Sequence, residues 1–123
     1  MFTIQKIENQ DEIVSYLQKE HLNPSSDMQQ FMGLYEGGRL CGIGSLSLCK
    51  TKVYLNLVHC KEDAQTLKLA LAKALLNMAD LRGIQTVYGN NPELFGLYTQ
   101  LRFKKDEDAY ILSLAGYFTA EHK

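Results

Sequence analysis

The sequence is poor in cysteine, and its three cysteines lack the spacing that a disulfide framework or a metal site needs. Cys41, Cys49 and Cys60 are odd in number and form no C-x-x-C pair. The sequence therefore supports neither a disulfide scaffold nor a zinc site. Such isolated cysteines are typical of buried thiols in a reducing compartment.

Long apolar runs are also missing. No stretch of the sequence approaches the roughly 20 apolar residues that a membrane-spanning helix needs. Residues 1–6 (MFTIQK) lack the apolar core of a secretion signal. We therefore expect a cytoplasmic protein with no membrane partner.

A third absence is an excess of charge of one sign. Thirteen basic residues face 14 acidic residues, which gives a formal net charge of −1. Non-specific binding to nucleic acid needs a basic surface, so we predict no nucleic-acid partner. The basic pair Lys104-Lys105 is followed at once by the acidic run 106–108, and we interpret this segment as a solvent-exposed turn.

What the sequence does contain is enough apolar material for one core. Its 123 residues are 46% hydrophobic and 22% charged, as in ordinary globular proteins. A chain of this size buries roughly two-thirds of the surface that its unfolded form exposes. We expect one domain that spans residues 1–123.

Apolar spacing in the first 60 residues predicts a strand, a helix and three further strands. The strand begins at Phe2, Asp11 is expected to cap the helix, and the loop 23–27 ends it. Gly37-Gly38 predicts a two-residue hairpin turn, because glycine adopts positive φ without penalty. Alternation predicts two sets that each share one face of a strand: Leu40, Gly42, Gly44, Leu46 and Leu48, then Val53, Leu55 and Leu57.

The second half predicts a long helix and then a strand, a helix and a strand. The long helix runs from about Asp63 to Arg82, with Gly83 just past its end. Its broad apolar stripe is typical of a helix that packs on a sheet. In the shorter helix that follows residues 86–92, one face carries Leu94, Leu97, Tyr98 and Leu101. A last strand covers Ala109 to Leu114.

The resulting order is β-α-β-β-β-α-β-α-β. Three consecutive strands before the βα units predict an α/β (α+β) fold, in which a mixed, mostly antiparallel sheet carries helices on both faces.

The segment from Thr86 to Phe103 resembles the second half of the GNAT acyltransferase superfamily. A short strand leads into the loop Asn90-Asn91-Pro92 and then a helix with the pattern Leu-Tyr-x-x-Leu-x-Phe at 97–103. The order of elements is similar over nearly the whole chain, and the match of individual residues runs from about Lys73 to Phe103. The family usually has a longer helical region after its first strand, so we expect one helix to be absent or reduced here.

The resemblance implies an N-acetyltransferase that moves an acetyl group from acetyl-coenzyme A to a small-molecule or peptide amine by direct attack. Tyr98 would act as the general acid toward the departing thiolate, and a backbone N–H near Val58 would stabilise the oxyanion. The positions implied to contact the coenzyme are Leu57, Val58, His59, Ala64, Gln65, Thr66, Lys68 and Asn91.

Each of these roles has a plain structural alternative. Tyr98 could simply complete the apolar face of its helix, and Asn91 could be a turn residue before Pro92. His59 could serve as a base near neutral pH, or it could be an ordinary hydrogen-bonded residue at a strand end.

The phosphate-binding signature of the family is degenerate in this chain. The family places a Gln or Arg, two residues, a Gly, one residue and a Gly or Ala at the start of the long helix. Here Asp63, Thr66 and Lys68 occupy the three defined positions. A carboxylate repels phosphate, and side chains obstruct its approach to the backbone. Asp63 could instead cap the helix, while Lys61 and Lys68 could supply positive charge.

Three hypotheses therefore stay open. The first is the acetyltransferase, and the second is a catalytically inactive GNAT-shaped domain that has lost coenzyme binding and serves as a binding or dimerisation module. The third is an unrelated α+β domain with a three-stranded meander. The terminal strand and Tyr117-Phe118 could form a self-association edge, which would make a homodimer.

Overall fold

The computed structural model describes residues 1–23, 28–62 and 64–118. The strands are β1 (Phe2–Lys6), β2 (Met28–Glu36), β3 (Arg39–Cys49), β4 (Lys52–Cys60), β5 (Thr86–Gly89), β6 (Lys104–Asp106) and β7 (Ala109–Ser113). The helices are α1 (Gln10–Lys19), α2 (Gln65–Leu81) and α3 (Phe95–Gln100), and a 3-10 turn at Pro92–Leu94 leads into α3.

All the strands belong to one seven-stranded sheet with the order β1-β2-β3-β4-β5-β7-β6. Neighbouring strands are antiparallel except for β4 and β5, which are parallel. One core cluster joins the sheet to α2 and α3, and a second joins it to α1. The predicted α+β fold with a mixed, mostly antiparallel sheet is confirmed.

Helix α1 begins two residues earlier than the sequence pattern suggested. Its N-cap is Asn9, whose side chain accepts hydrogen bonds from the backbone N–H groups of Asp11 and Glu12. The predicted cap at Asp11 is therefore wrong, because Asp11 already lies inside the first turn. Within the described residues, this 10-residue helix is the one helix between β1 and β2. This agrees with the prediction that the helical region after the first strand is reduced.

The β2–β3 hairpin confirms the predicted glycine turn but not the predicted face of β3. Gly37 and Gly38 have φ values of 58° and 81°. A register shift after Leu34 leaves Cys41 as an extra residue in β3. Leu40 consequently packs with the α1 cluster, whereas Leu46 packs with the α2 core. A bulge moves every later side chain to the opposite face of the sheet, which simple alternation cannot anticipate.

Strand β4 carries a second bulge, at Asn56. Ser45 pairs with Leu57 and Leu46 pairs with Leu55, so Asn56 has no opposite residue. Leu55 packs in the α2 core, but Leu57 packs with the α1 cluster. The prediction that Val53, Leu55 and Leu57 share one face is therefore wrong at Leu57.

Helix α2 packs closely on the middle of the sheet. Its fully buried residues are Leu71, Ala72, Leu75, Leu76 and Ala79. A Cβ on Gly44 of β3 would lie 2.6 Å from Leu75 Cδ1, so the missing side chain permits this approach. Gly83 follows the helix with φ 81°, as predicted. The helix begins at Gln65, and the predicted cap at Asp63 lies outside the described residues.

The C-terminal part confirms the shared face of α3 and corrects the sheet edge. Leu94, Leu97, Tyr98 and Leu101 are all buried. The segment Lys104–Asp106, predicted as a turn, is an exposed strand that pairs with β7. Strand β7 consequently lies inside the sheet, and the edges are β1 and β6. The predicted edge at the terminal strand is therefore wrong.

The remaining observations concern cysteines and helix length. Cys41, Cys49 and Cys60 are all free, and Cys60 is buried while the other two are partly buried. Among the helices that the structure describes, none combines the length and the apolarity needed to cross a membrane.

Candidate functional site

Strands β4 and β5 separate soon after they meet. They pair at Val53 with Val87 and at Tyr54 with Tyr88. Beyond Tyr54, β4 continues to Cys60, and the described part of β5 forms no further ladder with it. The Asn56 bulge follows directly. Because bulges bend a strand and disrupt its ladder, the edge of β4 from Leu55 onward faces other partners.

The gap between these strands opens into a cavity of about 400 Å³, which we call the β4 groove. Its described lining residues come from β4, α2, the 3-10 turn, α3 and the end of the α1 region: Leu22, Leu57, Val58, His59, Gln65, Lys68, Asn91, Glu93, Leu94, Gly96, Leu97 and Gln100.

The groove brings together most of the site residues predicted from the sequence. Leu57, Val58, His59, Gln65, Lys68 and Asn91 all line it. Ala64, Thr66 and Tyr98 are not among its described lining residues. Ala64 and Thr66 lie at the start of α2, where Ala64 is the N-cap and Thr66 is exposed.

A second cavity, of about 530 Å³, lies beside the groove, and we call it the asparagine pocket. Its described lining consists of His21, Leu22, Asn23, Asn56, Leu57, Asn90, Asn91 and Glu93. Leu22, Leu57, Asn91 and Glu93 line both cavities, so the two are contiguous. The sequence prediction missed Asn56, Asn90 and Glu93. A polar residue inside the apolar run 53–58 was a usable signal for Asn56.

Asn91 spans the gap that β5 leaves beside β4. Its Nδ2 donates to Asn56 O at 3.0 Å, and its Oδ1 accepts from the N–H of Glu93 at 3.1 Å. Its backbone N–H lies 3.3 Å from the Tyr98 hydroxyl. Asn91 therefore caps the 3-10 turn, which agrees with the alternative that it is a turn residue before Pro92. It also lines the groove.

Tyr98 lies at the closed end of the gap. Its side chain is fully buried, and its hydroxyl donates to Leu55 O at 2.6 Å. Its ring packs against Gly89, where a Cβ would lie 2.3 Å from Tyr98 Cζ. Burial raises the pKa of the Tyr98 phenol to about 12, so the hydroxyl keeps its proton at neutral pH. The hydroxyl thus holds β4 and the 90–91 loop together.

His59 on β4 is oriented by two residues of the α1 region. Its Nδ1 lies 3.0 Å from the Tyr16 hydroxyl, and its Nε2 lies 3.8 Å from Glu20 Oε1. Burial lowers the pKa of His59 and Lys68 adds to this effect, while Glu20 and Glu93 oppose it. The imidazole is therefore neutral at pH 7. A neutral, oriented histidine at the groove wall has the chemistry of a base.

The end of the groove at α2 is polar and carries a cation. Lys68 lines it from the first turns of the helix, and the side chain of Gln65 donates to Gln100 Oε1 of α3. The N-cap Ala64 is small, and no acidic residue lies in the first turn of α2. The positive dipole end of a helix and a lysine favour an anion. These residues fit a phosphate group without the glycines of the family signature.

The chain is similar in fold to several solved structures. No protein-family model matches the chain, and no curated protein matches it. An acetyltransferase of the GNAT family from Staphylococcus aureus Mu50 matches with a TM-score of 0.65 at 12% identity, over 93% of this chain and 99% of the other. YhhK from Escherichia coli, determined by solution NMR bound to coenzyme A, matches with a TM-score of 0.67 at 16% identity, over 92% and 98%.

A third match has a different partner. The crystal structure of a KacTA–DNA complex is similar with a TM-score of 0.63 at 15% identity, over 99% of this chain and 99% of the other. These identities are low, whereas the coverage of both chains is nearly complete. The chain therefore has the fold of the GNAT acetyltransferases.

Proposed function

We propose that the protein is an N-acetyltransferase that transfers an acetyl group from acetyl-coenzyme A to an amine. The β4 groove is the observation that carries this proposal. It opens where β4 parts from β5, and it gathers Leu57, Val58, His59, Lys68 and Asn91 around one cavity. One wall of the groove is the edge of β4, and another is the start of α2. Such a groove suits a long ligand with an amide-containing arm and an anionic end.

The coenzyme is expected to lie along the groove from β4 to α2. Its pantetheine arm contains amides, which can pair with the backbone of Leu57 and Val58 as a strand would. Its phosphates would lie near the N–H groups of Gln65 and Thr66, with Lys68 as the counter-charge. Asn91 lines the opposite side of the groove and is expected to contact the arm.

The reaction requires one bond to form and one to break. The lone pair of a neutral acceptor amine attacks the thioester carbonyl carbon, the C–N bond forms, and the C–S bond breaks. The amine gives up one proton, for which His59 is the candidate base, and the coenzyme thiolate takes up one proton. A backbone N–H near Val58 is the proposed donor to the oxyanion.

The sequence predicted Tyr98 as the general acid toward the thiolate, and we propose that it acts there as a hydrogen-bond donor. A thiol has a pKa of about 8.5, so full transfer from a phenol whose pKa is about 12 is uphill. We therefore expect Tyr98 to stabilise the developing thiolate by a hydrogen bond. Its hydroxyl must first leave Leu55 O, to which it donates in this structure.

The alternative function is a binding module that has lost the coenzyme. Two hydrogen bonds favour it: the buried hydroxyl of Tyr98 is already bonded to Leu55 O, and Gln65 at the start of α2 is already bonded to Gln100. Cytoplasmic location, a homodimer and the absence of a nucleic-acid partner stay predictions from the sequence.

Thermal unfolding with and without acetyl-coenzyme A separates the two functions. Ligand at a hundred times its Kd stabilises the fold by about 2.7 kcal/mol, which raises the Tm of a domain this size by roughly ten degrees. We expect a Tm shift of this size for the wild type and a much smaller shift for Lys68→Glu. For the control Lys105→Glu, on the exposed strand β6, we expect the same shift as for the wild type. An unmoved wild-type Tm at millimolar acetyl-coenzyme A would favour the binding module.

A further inference from the structure

The asparagine pocket has a wall chemistry of its own. Its described lining includes Asn23, Asn56, Asn90 and Asn91, together with the carboxylate of Glu93. Neither lysine nor arginine occurs among those lining residues. Asparagine side chains both accept and donate hydrogen bonds, and the carboxylate adds a negative charge. The asparagines can therefore bind a polar ligand of either kind, and the charge of Glu93 favours a cation over an anion.

Glu93 is held where its charge reaches both cavities. Its backbone N–H donates to Asn91 Oδ1, which fixes the start of the 3-10 turn. Its side chain is exposed and lines the groove as well as the pocket. The carboxylate also acts to raise the pKa of His59, so its field extends along the groove wall. An incoming cation in the pocket therefore meets one anionic group, whose backbone is held by Asn91.

The pocket lies beside the groove at the point where β4 leaves β5, and the two share part of their walls. Leu57 and Asn91 line both cavities, and Leu57 follows the Asn56 bulge directly. A ligand of the pocket can consequently extend past Leu57 into the groove. The pocket is also large enough for a ligand of several carbon atoms.

The carboxylate imposes a further requirement on an amine. An anion beside an amine stabilises its protonated form, whereas only the neutral form can attack a carbonyl carbon. A single amino group cannot be paired with Glu93 and attack at the same time. Two amino groups on one ligand meet both requirements.

We propose that the asparagine pocket binds the acetyl acceptor, and that this acceptor is an aliphatic diamine whose one ammonium group pairs with Glu93 while its other amine enters the β4 groove. This inference rests on the proposed transferase function. It predicts that amines bearing a carboxylate in place of the second ammonium group are rejected.

Three ligands of matched length test the proposal: 1,3-diaminopropane, propylamine and β-alanine. They differ in one end group, which is an ammonium, a methyl or a carboxylate. Each is titrated into the full, 15N-labelled chain, with and without coenzyme A, and amide shifts give the site and the Kd. We expect affinity to fall from diaminopropane to propylamine to β-alanine, with the largest shifts at Asn56, Asn90 and Asn91.

Variants connect the preference to Glu93. Glu93→Gln is expected to reduce the preference for diaminopropane over β-alanine by a factor of about two to five, as for an exposed charge pair. Glu8→Gln is the control, because Glu8 is exposed and lines neither cavity. Should Glu93→Gln fail to fold, Glu93→Ala removes the same charge, and the wild-type shift map still gives the site of binding.

The outcomes separate this inference from the transferase itself. Shifts at Val58 and Lys68 report coenzyme A binding in the same samples. Diaminopropane binding that depends on Glu93 supports the pocket even if coenzyme A does not bind. The proposal is overturned if coenzyme A binds while β-alanine matches diaminopropane, if no amine binds in either condition, or if Glu93→Gln leaves the preference unchanged.

Discussion

The two halves of β4 show how one strand can serve packing and binding in turn. Before the Asn56 bulge, β4 is paired on both sides, and Leu55 is fully buried under α2. After the bulge, β4 forms no described ladder pair with β5, and Leu57, Val58 and His59 line the groove. The difference teaches that the bulge, more than the residue types, turns a core strand into the wall of a site.

The largest effect should separate Leu55 from Leu57. Leu55→Ala removes a fully buried side chain and is expected to lower the free energy of unfolding by about 2–5 kcal/mol. Leu57→Ala, two residues later at the groove, should cost clearly less because Leu57 is only partly buried. Urea unfolding measures both. Equal losses would mean that the two halves of β4 are packed alike.

A glycine pair tests the closed end of the gap. A Cβ on Gly89 would overlap the ring of Tyr98, so Gly89→Ala should destabilise the fold by about 1–3 kcal/mol. Gly96→Ala is the control, since a Cβ there meets nothing within 4 Å, and alanine favours the helix. The Tm of each variant measures the effect, and we expect it to fall for Gly89→Ala but not for Gly96→Ala. A neutral Gly89→Ala would contradict the packing of Tyr98 against β5.

The hydroxyl of Tyr98 has a structural and a proposed catalytic role. Tyr98→Phe leaves Leu55 O without its donor and is expected to cost about 1–3 kcal/mol of stability. If Tyr98 also serves the thiolate, turnover should fall far more than acetyl-coenzyme A affinity. Steady-state kinetics and a binding titration on the same preparation separate the two. Unchanged turnover would remove Tyr98 from the chemistry.

The smallest effect concerns pH and the second half of β4. Burial lowers the folded-state pKa of His59 below its usual value of about 6.5, so the unfolded chain binds more protons in that window. The contribution of His59 to the free energy of unfolding is fully present above pH 6.5. It is lost as the pH falls from there through the lower folded-state pKa. His59→Gln should flatten this loss in urea unfolding between pH 7.5 and 5, and an unchanged pH dependence would contradict the burial of His59.

The sequence predicted local features well and long-range pairing poorly. Gly37-Gly38 and Gly83 were predictable because positive φ is a property of single residues. The shared face of α3 was predictable because helical spacing is local. Neither bulge could be predicted in this way, since Cys41 and Asn56 become extra residues only through the register with a neighbouring strand. Alternation therefore misplaced Leu40 and Leu57.

Charge misled the prediction at the C-terminal hairpin, and spacing alone could not identify the pocket. The run 104–108 is all charged, and such a run predicts a turn unless its partner strand is known. The groove residues were predictable through the family resemblance, which supplied Leu57 and Asn91. The pocket residues Asn90 and Glu93 form no motif, because the fold brings them opposite Asn56 from a distant segment.

The most direct test of the central claim is a crystal structure of the protein with coenzyme A. We expect the pantetheine arm against the backbone of Leu57 and Val58, with its phosphates beside Lys68 and the start of α2. A β4 groove without ligand density at saturating coenzyme A, with the Tyr98–Leu55 hydrogen bond still intact, would contradict the account.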